Sequence, residues 1–144
     1  MSAEVHPCIM LDSNIWLYAF IDQDAPLKQT IARNPLRRQM SVVVSTQIIN
    51  EVCFNLLRKA RFTEKQIGRM VRAFYQRYTI VPIDQESMIV ASQLRSQYSL
   101  SFWDGFIVAA AHNAGCDILY TEDLQHGLVI DGRLRIENPF AAKQ

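Results

Sequence analysis

The sequence predicts an α/β domain with a mostly parallel central sheet and helices on both of its faces. Three observations carry that expectation. Short apolar or β-branched runs recur along the chain, CIML (8–11), SVVVS (41–45), TIVPI (79–83) and DILYT (117–121), as strands buried in a sheet would. Longer stretches between them carry apolar residues three and four apart, the spacing of amphipathic helices. Strands and helices then alternate in the order that builds parallel sheets.

Each element has its own signal. CIML stops abruptly at Asp12, and IWLYAFI (15–21) resumes with a helical pattern that PLRRQ (35–39) breaks with a proline and a basic cluster. SVVVS is short and β-branched, hence a second strand. From Gln47 to Ala60 the apolar positions 48, 49, 52, 53, 56 and 57 outline a helix face. TEKQ (63–66) is a capping box, Thr63 answering Gln66, and Ile67, Met70, Val71, Phe74 and Tyr75 continue it at helical spacing. TIVPI reads as a strand that Pro82 confines to an edge or an end. Asp84 can cap the next helix, with Met88, Ala91 and Leu94 inward. Ser101 can cap SFWDGFIVAAAHN (101–113), which Gly115 would end. DILYT and the Asp-Gly turn of IDGRLRI (130–136) close the chain with strands.

Composition bounds the function. A chain of 144 residues, 49% hydrophobic and 20% charged, suits a single globular domain over 1–144, with no visible linker, repeat or low-complexity segment. A formal net charge of +1 excludes bulk basic character. Cys8, Cys53 and Cys116 form neither a disulfide framework nor a zinc motif, which suits reduced thiols. No basic leader or membrane span is visible, so a cytoplasmic location is expected.

The acids are the informative residues. In such sheets the ligand crevice lies beyond the carboxyl ends of the strands. Asp12 follows the first strand, Asp123 comes two residues past DILYT, and Asp104 occupies the first turn of a helix whose N-terminus meets the same edge. Glu51 sits about one turn into the helix after SVVVS. Carboxylates gathered at one rim repel each other unless a cation lies between them. Mg²⁺ or Mn²⁺, hard ions with oxygen ligands, suits that role, and such an ion points to phosphodiester hydrolysis. Each acid also has a plainer reading. Asp12 can be a turn or cap residue, Asp104 a capping acid favoured by the helix dipole, and Glu51 a solvated residue opposite its helix's apolar stripe. Spacing alone leaves open whether Glu122 or Asp123 turns inward.

Taken in order, IMLDSNIWLYAF, STQIINEV, SFWDGFIVAAA and LYTEDLQHG resemble the PIN-domain ribonucleases, and within them the VapC-type toxins of bacterial toxin–antitoxin pairs. The likeness runs from about Cys8 to Phe140. It implies a three-layer α/β/α fold and a Mg²⁺- or Mn²⁺-dependent endoribonuclease. By position it makes Asp12, Glu51, Asp104 and Asp123 the catalytic, metal-binding acids, with Asn14 and Thr121 supporting them. Ser13 stands where the family often has threonine and keeps the hydroxyl. The resemblance also implies RNA as substrate, a small antitoxin as protein partner and a homodimer. On this reading Asp104 is held by Phe102, Trp103, Phe106 and Ile107 in the core.

Charge distribution suggests how substrate is gripped. From 51 to 77, Arg58, Lys59, Arg61, Lys65, Arg69, Arg72 and Arg77 are set against only Glu51 and Glu64, a basic stretch suited to a nucleic-acid backbone. Arg58, Lys59, Arg61 and Lys65 are the candidate RNA contacts, and Arg33, Arg37 and Arg38 extend the track. The plainer reading is a set of solvated helix faces. His6, His112 and His126 are not spaced as ligands or as a triad, although His126 lies in the loop beside Asp123. Trp16, Tyr18, Phe20 and the aromatics of 102–106 suit the core or a dimer interface better than base stacking.

Other phosphoryl enzymes on similar sheets fit less well. A haloacid-dehalogenase-type phosphatase wants an aspartate where Asn14 stands. A receiver domain wants a late lysine, and only Lys143 is available. The glycines form neither a dinucleotide fingerprint nor a P-loop. A noncatalytic RNA- or protein-binding module on the same scaffold, or a housekeeping RNA-processing nuclease, is the alternative class.

Overall fold

Ile9, Met10 and Leu11 have no accessible surface, because the strand they form lies between two others in the middle of a sheet. The computed structural model describes residues 6–21 and 24–141; residues 1–5, 22–23 and 142–144, Lys143 among them, lie outside that part. The order of elements is β1 (Cys8–Leu11), α1 (Ser13–Phe20), α2 (Pro26–Arg37), β2 (Ser41–Ser45), α3 (Thr46–Lys59), α4 (Glu64–Arg77), β3 (Thr79–Val81), α5 (Gln85–Tyr98), α6 (Phe102–Asn113), β4 (Ile118–Tyr120), β5 (Val129–Ile130) and β6 (Leu134–Glu137). The sheet runs β3-β2-β1-β4-β6-β5. All neighbours are parallel except β5, which turns back on β6 through Asp131 and Gly132, both at positive φ. The expected mostly parallel sheet, covered by helices on both sides, is what the chain forms.

Register fixes where the strands end. Leu11 pairs with Tyr120, Met10 with Val43 and Ser45 with Val81, so the residues after β1, β2 and β4 emerge at one edge. Helices α3 to α6 start on side-chain caps, of which Ser45 was not foreseen. Ser45 Oγ accepts the Ile48 amide, Thr63 and Gln66 form the reciprocal box, Asp84 accepts the Ser87 amide, and Ser101 accepts the Asp104 amide. α1 to α4 pack as one group and α5 with α6 as another. Buried Trp16 ties the first group together, its ring centroid 5.1 Å from Phe74 and 5.5 Å from Phe20. The buried apolar residues form one continuous cluster.

Four expectations are corrected. PLRRQ does not simply break structure: residues 26–37 are a helix, and Pro35 sits buried inside it. A proline removes one intrahelical bond and crowds the carbonyl four residues back, and the helix ends two residues later. Met88 is half exposed rather than inward, because α5 meets α6 through Ala91 and Leu94. Tyr75 continues the apolar spacing of α4 but lies largely exposed, with only Phe74 fully buried. Phe102 and Trp103, expected in the core, are 55% and 64% exposed, whereas Ile107 is buried. Among the described residues no helix is long and apolar enough to cross a membrane.

Cys8 and Cys116, far apart in sequence, meet with their sulfurs 3.0 Å apart at the amino edge of the sheet, and all three cysteines are free thiols.

Candidate active site

Asp12 leaves β1 as the N-cap of α1, its backbone N–H still donating to the Tyr120 carbonyl at 2.9 Å. Its carboxylate is 3% exposed. One oxygen accepts the Ser13 amide at 2.7 Å and the other the Thr121 hydroxyl at 2.8 Å. Burial pushes its pKa up to about 6; the two hydrogen bonds pull it down, and the charges of Glu51 and Asp123 push it further up. The cap reading and the site reading of Asp12 therefore describe one geometry.

Glu51 does not point freely to solvent. Its Oε2 accepts the Ser13 hydroxyl at 2.8 Å, and its Oε1 accepts the Gln47 amide at 2.9 Å. Ser13 thus links the first strand's acid to the α3 glutamate. Gln47 was not singled out in the sequence, although it lies one helical turn before Glu51.

The loop after β4 separates its two acids. Asp123 Oδ2 accepts from Asn14 Nδ2 at 2.9 Å, and the Asp123 amide donates to Thr121 Oγ1 at 3.1 Å. Glu122 turns instead to Lys28, 3.6 Å away. Partial burial raises the pKa of Asp123, with Glu122, Asp104 and Glu51 adding to the rise and Asn14 opposing it. Asp104 sits in the first turn of α6, half-buried, and joins the others through its field at Asp123 rather than through a shared hydrogen bond. Asp12, Glu51 and Asp123 are thus one hydrogen-bonded network, with Asp104 beside it. Among the described residues no three His, Cys, Asp or Glu side chains converge on a single point.

The chemistry of the donors decides what the pocket suits. Ser13, Thr121, Asn14 and Gln47 are neutral, and the ion pairs among the described residues involve none of the four acids. The Asn14 and Gln47 amides each donate to a carboxylate, and their own oxygens are buried with no donor. Negative charge is therefore gathered without a cation, alongside two idle oxygen acceptors. Such an oxygen-only set fits a hard divalent ion.

The remaining candidates are dispersed. Arg58 lies two turns beyond Glu51 on the same face of α3, about 10 Å along its axis. Lys59, Arg61 and Lys65 surround the α3–α4 turn; all four are exposed. Arg33 donates to the Ala19 carbonyl at 2.8 Å, which ties α2 to α1. His112 pairs with Asp131 at 2.9 Å, and His126 Nδ1 accepts the Asn138 amide at 3.0 Å.

Fold and site together define an α/β/α domain that presents an uncompensated acidic pocket at the carboxyl edge of a parallel sheet. The chain belongs to the PIN domain family, whose model matches residues 9–128. No curated protein matches it by sequence. Among solved structures, a toxin–antitoxin complex from Klebsiella pneumoniae is similar with a TM-score of 0.68 and 21% identity, over 93% of this chain and 99% of that one. Mycobacterium tuberculosis VapC20, a Sarcin-Ricin loop cleaving toxin, is similar with a TM-score of 0.64 and 16% identity, over 80% and 91%. VapBC2 from Rickettsia felis, bound to a DNA fragment from their promoter, gives 0.63 and 17%, over 91% and 99%.

Proposed function

We propose that the protein is a Mg²⁺- or Mn²⁺-dependent endoribonuclease and the toxin of a toxin–antitoxin pair. The observation that carries this reading is the linked set Asp12–Ser13–Glu51 and Asp12–Thr121–Asp123, which holds no cationic partner. Membership of the PIN family, and solved neighbours that include an RNA-cleaving toxin, support it. Asp12, Asp104, Glu51 and Asp123 would hold the ion. When bound, the ion supplies Lewis acidity to phosphate oxygens and to water. Ser13 and Gln47 orient Glu51, Thr121 orients Asp12, and Asn14 holds Asp123, so the carboxylates are aimed before substrate arrives. Exposed Arg58, Lys59, Arg61 and Lys65 would take the RNA backbone outside the acidic pocket.

Cleavage of RNA in Mg²⁺ or Mn²⁺, abolished by EDTA and restored by added metal, is the expected result. An EDTA-insensitive activity, or none with either ion, would sink the enzyme reading. The partner is a small antitoxin that covers the groove, and the protein pairs with a second copy of itself. Co-purification with the product of a neighbouring reading frame tests the first, and sedimentation tests the second.

A further inference from the structure

Trp103 is out of place as a structural residue. It precedes Asp104 in the first turn of α6, yet 64% of it is exposed. Nor does it swing freely: its ring meets Phe102 edge-on at 5.1 Å and Phe106 at 5.8 Å. Phe102 and Phe106 are themselves backed by the Arg95 guanidinium, 4.4 and 5.4 Å from their centroids. The result is a braced indole beside the acids. With Glu51, Gln47, Asn50, Thr46 and Ile83 it lines an open groove of about 500 Å³.

We propose that Trp103 is the platform on which a nucleobase next to the scissile phosphate stacks. The inference rests on the nuclease reading and adds a substrate-positioning residue to it. Its physical basis is the character of the groove. A polyanion approaching several carboxylates gains nothing from charge on that wall, whereas base–aromatic stacking is indifferent to the sign of the neighbours. A paired base, already stacked on both sides within its duplex, offers no face to the indole. A second protein copy seated on the same wall would strip water from the Glu51 carboxylate, which is costly unless it brings a cation there.

The two tryptophans make the test direct, because Trp16 has no accessible surface and Trp103 does. The full chain is titrated in EDTA, so that nothing is cut, with a short mixed-sequence single-stranded RNA and with the same sequence closed into a hairpin stem. The single strand should quench tryptophan emission saturably and the stem should not. By anisotropy of labelled RNA, Trp103→Ala should bind roughly tenfold more weakly or worse, while Trp103→Phe keeps most of the affinity. Unchanged melting temperatures would show that both variants fold. Undiminished binding by Trp103→Ala, or equal quenching by the stem, overturns the proposal. So does conversion of a dimer to monomers by Trp103→Ala in sedimentation, which would mean that a second copy covers the ring. Wild-type cleavage in Mn²⁺ is measured alongside. Cleavage with undiminished Trp103→Ala binding leaves the nuclease reading standing and removes only the stacking. A wild type that neither binds nor cuts RNA removes both.

Discussion

Asp12 is held by two neutral donors in a place water hardly reaches, and that has a cost the free protein must carry. Its pKa of about 6 lies above the ordinary 3.8, so the folded protein binds this proton more tightly than the unfolded chain does. The resulting stabilisation is complete below pH 3.8 and is lost as pH rises to about 6. It amounts to something on the order of 3 kcal/mol, at about 1.4 kcal/mol for each pH unit between the two values. Urea titrations in EDTA should show stability falling over that window, with Asp123 adding in the same direction. Asp12→Asn removes the penalty: at pH 7.5 without metal it should be at least as stable as wild type, while cleavage falls roughly a hundredfold or more. A variant that lost stability and activity together would make Asp12 structural. At this scale the sequence offered the positions of the four acids but not their tethers. Only the folded chain shows Asn14 choosing Asp123 and Lys28 choosing Glu122, because those partners come from distant segments.

α6 depends on a close passage beside α5. A Cβ at Gly105 would lie 2.5 Å from Arg95 Cγ, in the stem of the side chain whose Nη1 donates to the Phe102 carbonyl at 3.1 Å. Gly105→Ala should therefore displace Arg95 or the first turn of α6, lowering stability by about 1–3 kcal/mol and reducing cleavage through Asp104. Gly68 is the contrast. It lies within α4, and its Cβ would meet only Arg72 Nη1, at 3.6 Å. Gly68→Ala should stabilise by about 0.5–1 kcal/mol with cleavage unchanged; thermal melts of the pair check both. Caps and periodicity made most elements legible, since those signals are local. What they could not reveal was burial. Met88, Tyr75, Phe102 and Trp103 all fit an apolar stripe, but which side of a helix receives a neighbour is decided by tertiary packing. Pro35 misled for a related reason: its local penalty is read from sequence, whereas its burial inside α2 is a matter of tertiary packing.

Across the whole molecule, negative charge is gathered at one sheet edge and exposed basic residues lie two or more turns away along α3 and around its turn into α4. RNA binding should weaken with salt, and removing any one of Arg58, Lys59, Arg61 or Lys65 that contacts phosphate should flatten the logarithmic slope by about 0.7. Filter binding across a salt series measures this. An ion that binds only the folded protein raises its melting temperature, so Mn²⁺ should raise it more at pH 7.5 than at pH 5, where Asp12 holds a proton instead. The strand–helix alternation made the parallel sheet readable in advance. The meeting of Cys8 with Cys116 was not, because it depends on β1 and β4 becoming neighbours. That adjacency reaches further. Asp12 takes its hydroxyl, and Asn14 its carboxylate, from residues 109 positions downstream. A nascent chain still short of that point has no assembled pocket. The pocket can do its work only once β4 and the loop after it have been made and have paired beside β1.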